Sequence, residues 1–281
     1  MSIFRAAPFL TAAFATLATP ALAQSNRDSH FNGPYVSATI GMGALGHDTG
    51  ETIEFDTNQD GTYGDTVNTA AGANAFSPGF CNGQTGGNSI ATGGCKQDDN
   101  HIEYGGRVGY DRRMSSNFVA GGLFEVSKST SRDFTTAFSS TPASYTIGRK
   151  IDYALSLRAR AGYTPGGGAL FYVTGGGSFA KIKHDFRTTN TANAFTEVND
   201  NKMKFGYQVG GGTEVMLTDS VSLGIEYLYN HYQDGSYYVN VGRGTAPATN
   251  PFLLRSGATN MRTAEDNLDF HSLRGTLSFH F

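Results

Sequence analysis

The last nine residues, Leu273-Arg-Gly-Thr-Leu-Ser-Phe-His-Phe281, constrain the fold most. Leu273, Leu277, Phe279 and Phe281 alternate with Arg274, Thr276, Ser278 and His280. Period-two alternation makes a strand with one apolar and one polar face. Chain ends in soluble proteins are commonly frayed and polar, whereas this one finishes on a bare aromatic. Such a strand fits a transmembrane β-barrel, where the final strand closes the barrel and its apolar face touches lipid.

The other end of the chain adds a second constraint. Residues 1–23 hold Arg5, an apolar run through Ala18 and then Ala21-Leu22-Ala23. That order is the pattern of a secretory signal peptide, with cleavage expected before Gln24. The run is interrupted by Pro8 and is shorter than the ~20 residues a spanning helix needs. Beyond Gln24 no apolar stretch is long enough to cross a bilayer as a helix, so a closed barrel is the only spanning architecture left. The mean hydropathy of -0.32 is compatible with this, because only alternate strand residues face lipid. With 20 Phe, 14 Tyr and no Trp, any aromatic girdle is built from tyrosine and phenylalanine. A net charge of -3 and the lack of a basic stripe exclude nucleic acid as an expected partner. Cys81 and Cys95 lie in one glycine-rich stretch. In an exported chain a local disulfide is the expectation, with free thiols as the alternative.

Eight segments alternate as strands: Pro34 to Leu45, His101 to Arg112, Phe118 to Ser127, Ile151 to Tyr163, Ala169 to Lys181, Lys202 to Leu217, Val221 to Tyr232 and Leu268 to Phe281. In the fourth, Ile151, Tyr153, Leu155 and Leu157 read as one face, with Asp152, Ser156, Arg158 and Arg160 as the other. Three connections are tight turns, at residues 113–117, 164–168 and 218–220. Four are long: 46–100, 128–150, 182–201 and 233–267. Alternating short and long connections predict an all-β, antiparallel, eight-stranded up-and-down transmembrane barrel over residues 24–281, with four external loops. A soluble β-sandwich predicts no such alternation of loop length.

Three stretches then carry a resemblance: Asn32-Gly-Pro-Tyr-Val-Ser37, the Gly-Tyr-Gln-Val-Gly-Gly-Gly-Thr-Glu run of Gly206 to Glu214, and the closing Leu-Ser-Phe-His-Phe. They resemble the small porin-family, OmpA-like eight-stranded barrels of alphaproteobacterial outer membranes. The resemblance implies an abundant protein of a Gram-negative outer membrane with structural and surface roles. It implies contact with outer-membrane lipids and lipopolysaccharide, and an extracellular or host ligand. It also implies that Phe279 and Phe281 form the signal read by the barrel-assembly machinery. The family shares no active site, so nothing catalytic carries over.

Eight strands enclose an interior that side chains fill. The inward positions place Glu103, Arg107, Asp111, Glu125, Asp152, Arg158, Arg160, Lys204, Glu214, Glu226 and Arg274 in that space. Opposed charges there are expected to pair into a plug. The alternative is a narrow, charge-lined diffusion path. In the first long loop, Asp56-Thr-Asn58-Gln-Asp60-Gly61-Thr62-Tyr-Gly-Asp65 carries a D-x-N-x-D-G spacing. Asp56, Asn58, Asp60, Thr62 and Asp65 are candidate ligands for a weak calcium ion that would order the loop. Val67 stands where a bidentate glutamate is expected, and a metal-free Asx-turn is the alternative. No other cofactor is expected. An outer-leaflet lipid enzyme needs a serine, a histidine and an acid together. His271 and Ser272 are the nearest candidates, and adjacent strand residues point to opposite faces. His47, His101, His184 and His231 are the set to examine for convergence at the external rim.

Overall fold

The computed structural model describes residues 30–45, 51–96, 98 and 101–281. The expected signal peptide lies outside them. The strands in chain order are β1 (Gly33–Leu45), β2 (Ile53–Asp56), β3 (Gly79–Asn82), β4 (His101–Arg113), β5 (Phe118–Ser129), β6 (Arg132–Ser139), β7 (Ala143–Tyr163), β8 (Ala169–Thr188), β9 (Ala194–Val198), β10 (Lys202–Met216), β11 (Val221–Gln233), β12 (Tyr238–Gly242), β13 (Thr259–Thr263) and β14 (Asn267–His280).

Eight of these strands close on themselves. Antiparallel pairing runs β1–β4–β5–β7–β8–β10–β11–β14 and returns from β14 to β1. Closure leaves no barrel edge to be satisfied by solvent. The joints between β4 and β5, β7 and β8, and β10 and β11 are the tight turns read from the sequence. The apolar member of each alternating pair points outward. Ile40, Val108, Leu157, Val173, Ile225 and Leu273 are each more than half exposed. An apolar belt on the outside of a closed barrel is a lipid-facing surface. Aromatics rim it: Phe118, Tyr163 and Phe171 stand opposite one another across three strands at the turn end. Phe179 and Phe205 pair toward the loop end.

Two features depart from the sequence expectation. The first is a bulge between Ile151 and Tyr153. The extra residue, Asp152, leaves the lumen and its carboxylate meets Lys183 at 2.8 Å and Lys128 at 4.0 Å. Ile151 correspondingly turns inward and is buried, while Tyr153 faces out. A bulge shifts the face by one residue, which period-two counting does not foresee.

The second is the fate of the long connections. They hold six further strands, and β7 and β8 rise past the belt to join them. One sheet continues the barrel wall as β3–β6–β7–β8, and a separate sheet is ordered β2–β13–β12–β9. Between them lies a core of its own, which includes Phe55, Val67, Phe76, Tyr145, Ile147, Val239, Phe252 and Met261. Loop segments 46–100, 128–150, 182–201 and 233–267 therefore contribute to an ordered β-cap. The disulfide Cys81–Cys95, with a Cα–Cα distance of 5.9 Å, ties β3 to the chain that follows it.

Candidate functional site: the filled lumen and the cap

The inward side chains make two charged layers. In the larger, Arg107, Arg158 and Arg274 face Glu103, Glu125 and Glu226. Glu226 accepts from Arg107 at 3.0 Å, Arg158 at 3.3 Å, Arg274 at 2.7 Å and the Tyr172 hydroxyl at 2.9 Å. Arg274 also donates to both oxygens of Glu125, at 2.7 and 3.1 Å, and to Glu103 at 3.0 Å. Arg158 reaches Glu125 at 2.7 Å. In the smaller layer Arg160 donates to Asp111, to Glu214 at 2.9 Å, and lies 4.4 Å from the Tyr35 ring centroid. Glu214 also accepts from the Ser222 hydroxyl at 2.5 Å, and His280 Nε2 lies 3.1 Å from the same oxygen. All the charged members of both layers are buried. The sequence placed each of them inward. Lys204 is inward too, but it sits at the mouth, on Ser236 and Asp234.

Contacts continue to both mouths. At the turn end, Phe31, Val119, Leu170 and Tyr172 form an apolar cluster. Phe31 takes a positive φ of 55° to enter it, an uncommon conformation that this burial over-determines. Above the charges, Glu103 accepts from Ser272, which bonds Asn230; Asn230 in turn bonds Gln208, next to the Tyr232 hydroxyl. Tyr232 belongs to a second apolar cluster with Ile151, Ala154, Ala180, Ile182, Leu268 and Phe270. Side-chain contacts thus run through the interior from one mouth to the other.

Above that plug, Arg149 pairs with Asp133 and with Glu51 at 3.4 Å. Asp98 lies close by and accepts the Phe134 N–H at 3.0 Å. Burial pushes the Asp98 carboxyl up to about 7, and the Asp133 and Glu51 charges add to the rise. Folded Asp98 then keeps its proton up to about pH 7, whereas an unfolded aspartate loses it near pH 4. Between those values the folded state binds more protons, so stability falls as pH rises across the window and levels off above it. The cap is expected to resist protease better at about pH 5 than at about pH 8, and Asp98→Asn to shrink that difference. Equal pH dependence in parent and variant contradicts the assignment.

The expected calcium ligands share one loop and hydrogen-bond within and around it. Buried Asp56 accepts the N–H groups of Asp60 and Gly61 at 3.2 and 3.1 Å, and Asn260 Nδ2 at 3.3 Å. Asp60 accepts the Thr62 N–H and Asn58 Nδ2, both at 2.7 Å. Asp65 accepts the N–H and hydroxyl of Thr57 at 3.0 and 2.7 Å. The Thr62 N–H on Asp60 and the Asp60 N–H on Asn58 Oδ1 are Asx-turns. Among the described residues no group of three or more His, Cys, Asp or Glu is arranged to hold a metal.

Of the rim set, the described side chains of His184 and His231 do not converge. His184 is stacked on Tyr237 at 3.8 Å and meets Asp234 at 2.9 Å inside the mouth. His231 pairs with Asp269 at 2.7 Å and stacks on Tyr207 on the outer face. His47 lies outside the described residues. Ser272 is buried in the lumen, while exposed His271 meets the Tyr227 hydroxyl at 2.6 Å outside. Phe279 and Phe281 are both exposed, with ring centroids 5.0 Å apart.

Residues 150–281 match the family model described as outer membrane protein beta-barrel domain. The 31 kDa outer-membrane immunogenic proteins of Brucella melitensis biotype 1 and Brucella suis biovar 1 are each 29% identical over 132 residues, covering 47% of this chain and 47% of each relative. The 22 kDa outer membrane protein of Rhizobium leguminosarum bv. viciae is 31% identical over 96 residues, covering 34% of this chain and 41% of that protein. The chain thus spans about half the length of the first of these relatives, and less of the last. Among solved structures, the outer membrane protein OprG from Pseudomonas aeruginosa aligns over 90% of this chain and 98% of its own, at 11% identity and a TM-score of 0.49. The matched segment holds the membrane-level part of β7 and all of β8, β10, β11 and β14. Together with a closed, apolar-faced barrel, this makes the chain an outer-membrane β-barrel protein.

Proposed function

We propose that the protein is a non-conducting barrel that anchors an ordered β-cap at the cell surface, contributing to envelope integrity and to contact with the environment. The observation that carries this reading is the packed interior: two salt-bridged layers between apolar clusters at both mouths. Eight-stranded barrels are just wide enough for side chains to fill, and a salt-bridged filling of that space supports a stiff wall that does not conduct. The surface role rests on the cap, whose two sheets give the exposed segments a fixed shape. The names of the Brucella relatives describe them as immunogenic, which agrees with surface display of this chain. Antibody raised against the cap is expected to label intact cells. Labelling only after the outer membrane is breached counts against the orientation.

The reading includes no enzymatic step, since Ser272 and His271 face opposite sides of the wall. It does include recognition by the barrel-assembly machinery through the C-terminal aromatics. Removing Phe281 is expected to lower the outer-membrane yield severalfold while refolding in detergent is kept. An unchanged yield refutes that role.

A further inference from the structure

Exposed cations gather on the loop-side wall formed by β5 to β8. On β5 the outward apolar residue Val126 is followed two positions on by Lys128, and on β8 Phe179 is followed by Lys181. The apolar belt therefore ends in positive charge just beneath the cap. Above that line Arg132, Lys150 and Lys183 stand directly opposite one another on β6, β7 and β8. Like charges opposed across strands about 5 Å apart repel and destabilise the sheet. Such a row is retained where an anion offsets it. Lys183 has a partner in Asp152. Arg132 and Lys150 make no ion pair among the described residues.

These side chains wall a groove of about 360 Å³, with Phe134 and Gly148 on its floor and Arg187 at its far end. The carboxylates at its rim are already engaged: Asp185 by Arg187 at 2.7 Å, and Asp200 by the His184 N–H at 2.6 Å. The corresponding upper positions of β11 and β14 carry Tyr229, His231, Asp269 and His271, with no lysine or arginine. The cationic groove thus lies on the β6–β8 side of the barrel, above the lipid-facing belt.

We propose that the groove walled by Arg132, Lys150 and Lys183 seats the phosphate of a lipid headgroup from the leaflet beneath the cap. The acyl chains of that lipid run down the belt past Val126, Tyr153 and Phe179. Anionic headgroups attract basic residues at a membrane surface, and the adjoining apolar wall selects a phosphate that carries chains. The inference does not depend on whether the barrel conducts, so it stands or falls apart from the proposed function.

Native mass spectrometry of the refolded protein tests it, with phosphatidic acid, phosphatidylcholine or inorganic phosphate added to the micelles. Expected is preferential retention of one phosphatidic acid molecule, weakened roughly 30-fold in the Arg132→Gln/Lys150→Gln double variant. Lys150→Arg is expected to retain it, as is Arg243→Gln, which removes an exposed cation from the cap. Equal binding of phosphatidic acid by parent and double variant overturns the proposal. So does equal retention of the two lipids. Inorganic phosphate binding as tightly as phosphatidic acid also overturns it, because the site is then one for free phosphate. Should the double variant misfold, weakening of phosphatidic acid binding by rising salt in the parent provides the independent check, and salt-insensitive retention contradicts the proposal.

Discussion

Arg274→Ala is expected to destabilise the barrel by about 3–5 kcal/mol. Arg274 is the one cation that touches all three glutamates of the larger layer. Its removal leaves Glu103, Glu125 and Glu226 in a space closed to water, facing only Arg107 and Arg158. Glu103 then has no arginine partner, retaining only the Ser272 hydroxyl. Losing one member of a buried ion network costs far more than losing an exposed pair, because the remaining charges stay desolvated. The measurement is the denaturant midpoint of the refolded barrel, read by the gel-mobility shift between folded and heat-unfolded forms. A midpoint equal to that of the parent contradicts the account of the layer.

Phe76→Ala is expected to cost about 3–5 kcal/mol, but in the cap alone. Phe76 lies at the centre of the cap core, with ring centroids 4.4 Å from Phe55, 5.4 Å from Tyr145 and 5.8 Å from Phe252. The barrel is held by its own hydrogen-bonded ring of strands and by the lumen, neither of which uses Phe76. Limited proteolysis of folded protein is therefore expected to remove cap segments from the variant while leaving the barrel's heat-induced gel shift unchanged. A variant whose cap resists protease like the parent contradicts an independent cap core. Loss of barrel and cap together contradicts their energetic separation.

The barrel was legible in the sequence because each of its determinants is local. Alternation from Val221 to Tyr232 or from Leu273 to Phe281 fixes strand and face at once. The turns at 113–117, 164–168 and 218–220 fix which strands are neighbours. The lumen charges followed from the same alternation, since an inward glutamate in an eight-stranded barrel has only other inward side chains to meet. Which arginine meets which glutamate was not legible: Arg107 and Glu226 are 119 residues apart and lie across the lumen. Asp152 misled because a single bulge inverts the faces of the residues before it. The cap escaped detection for a related reason. Its strands are short, such as Ile53–Asp56 and Thr259–Thr263, and they pair with segments about 200 residues away. The carboxylates of the D-x-N-x-D-G run around Asp56 accept from both backbone and side-chain donors, and spacing alone does not distinguish a turn from a metal loop.

Single-channel recording of the refolded protein in a planar bilayer tests the central claim most directly. The filled lumen predicts a silent membrane from protein shown to be inserted and folded. It also predicts that Arg274→Ala, which opens space in the larger charged layer, stays silent as well, because the apolar clusters at both mouths remain. Reproducible discrete openings from the parent protein contradict a packed interior and move the function to a narrow diffusion porin.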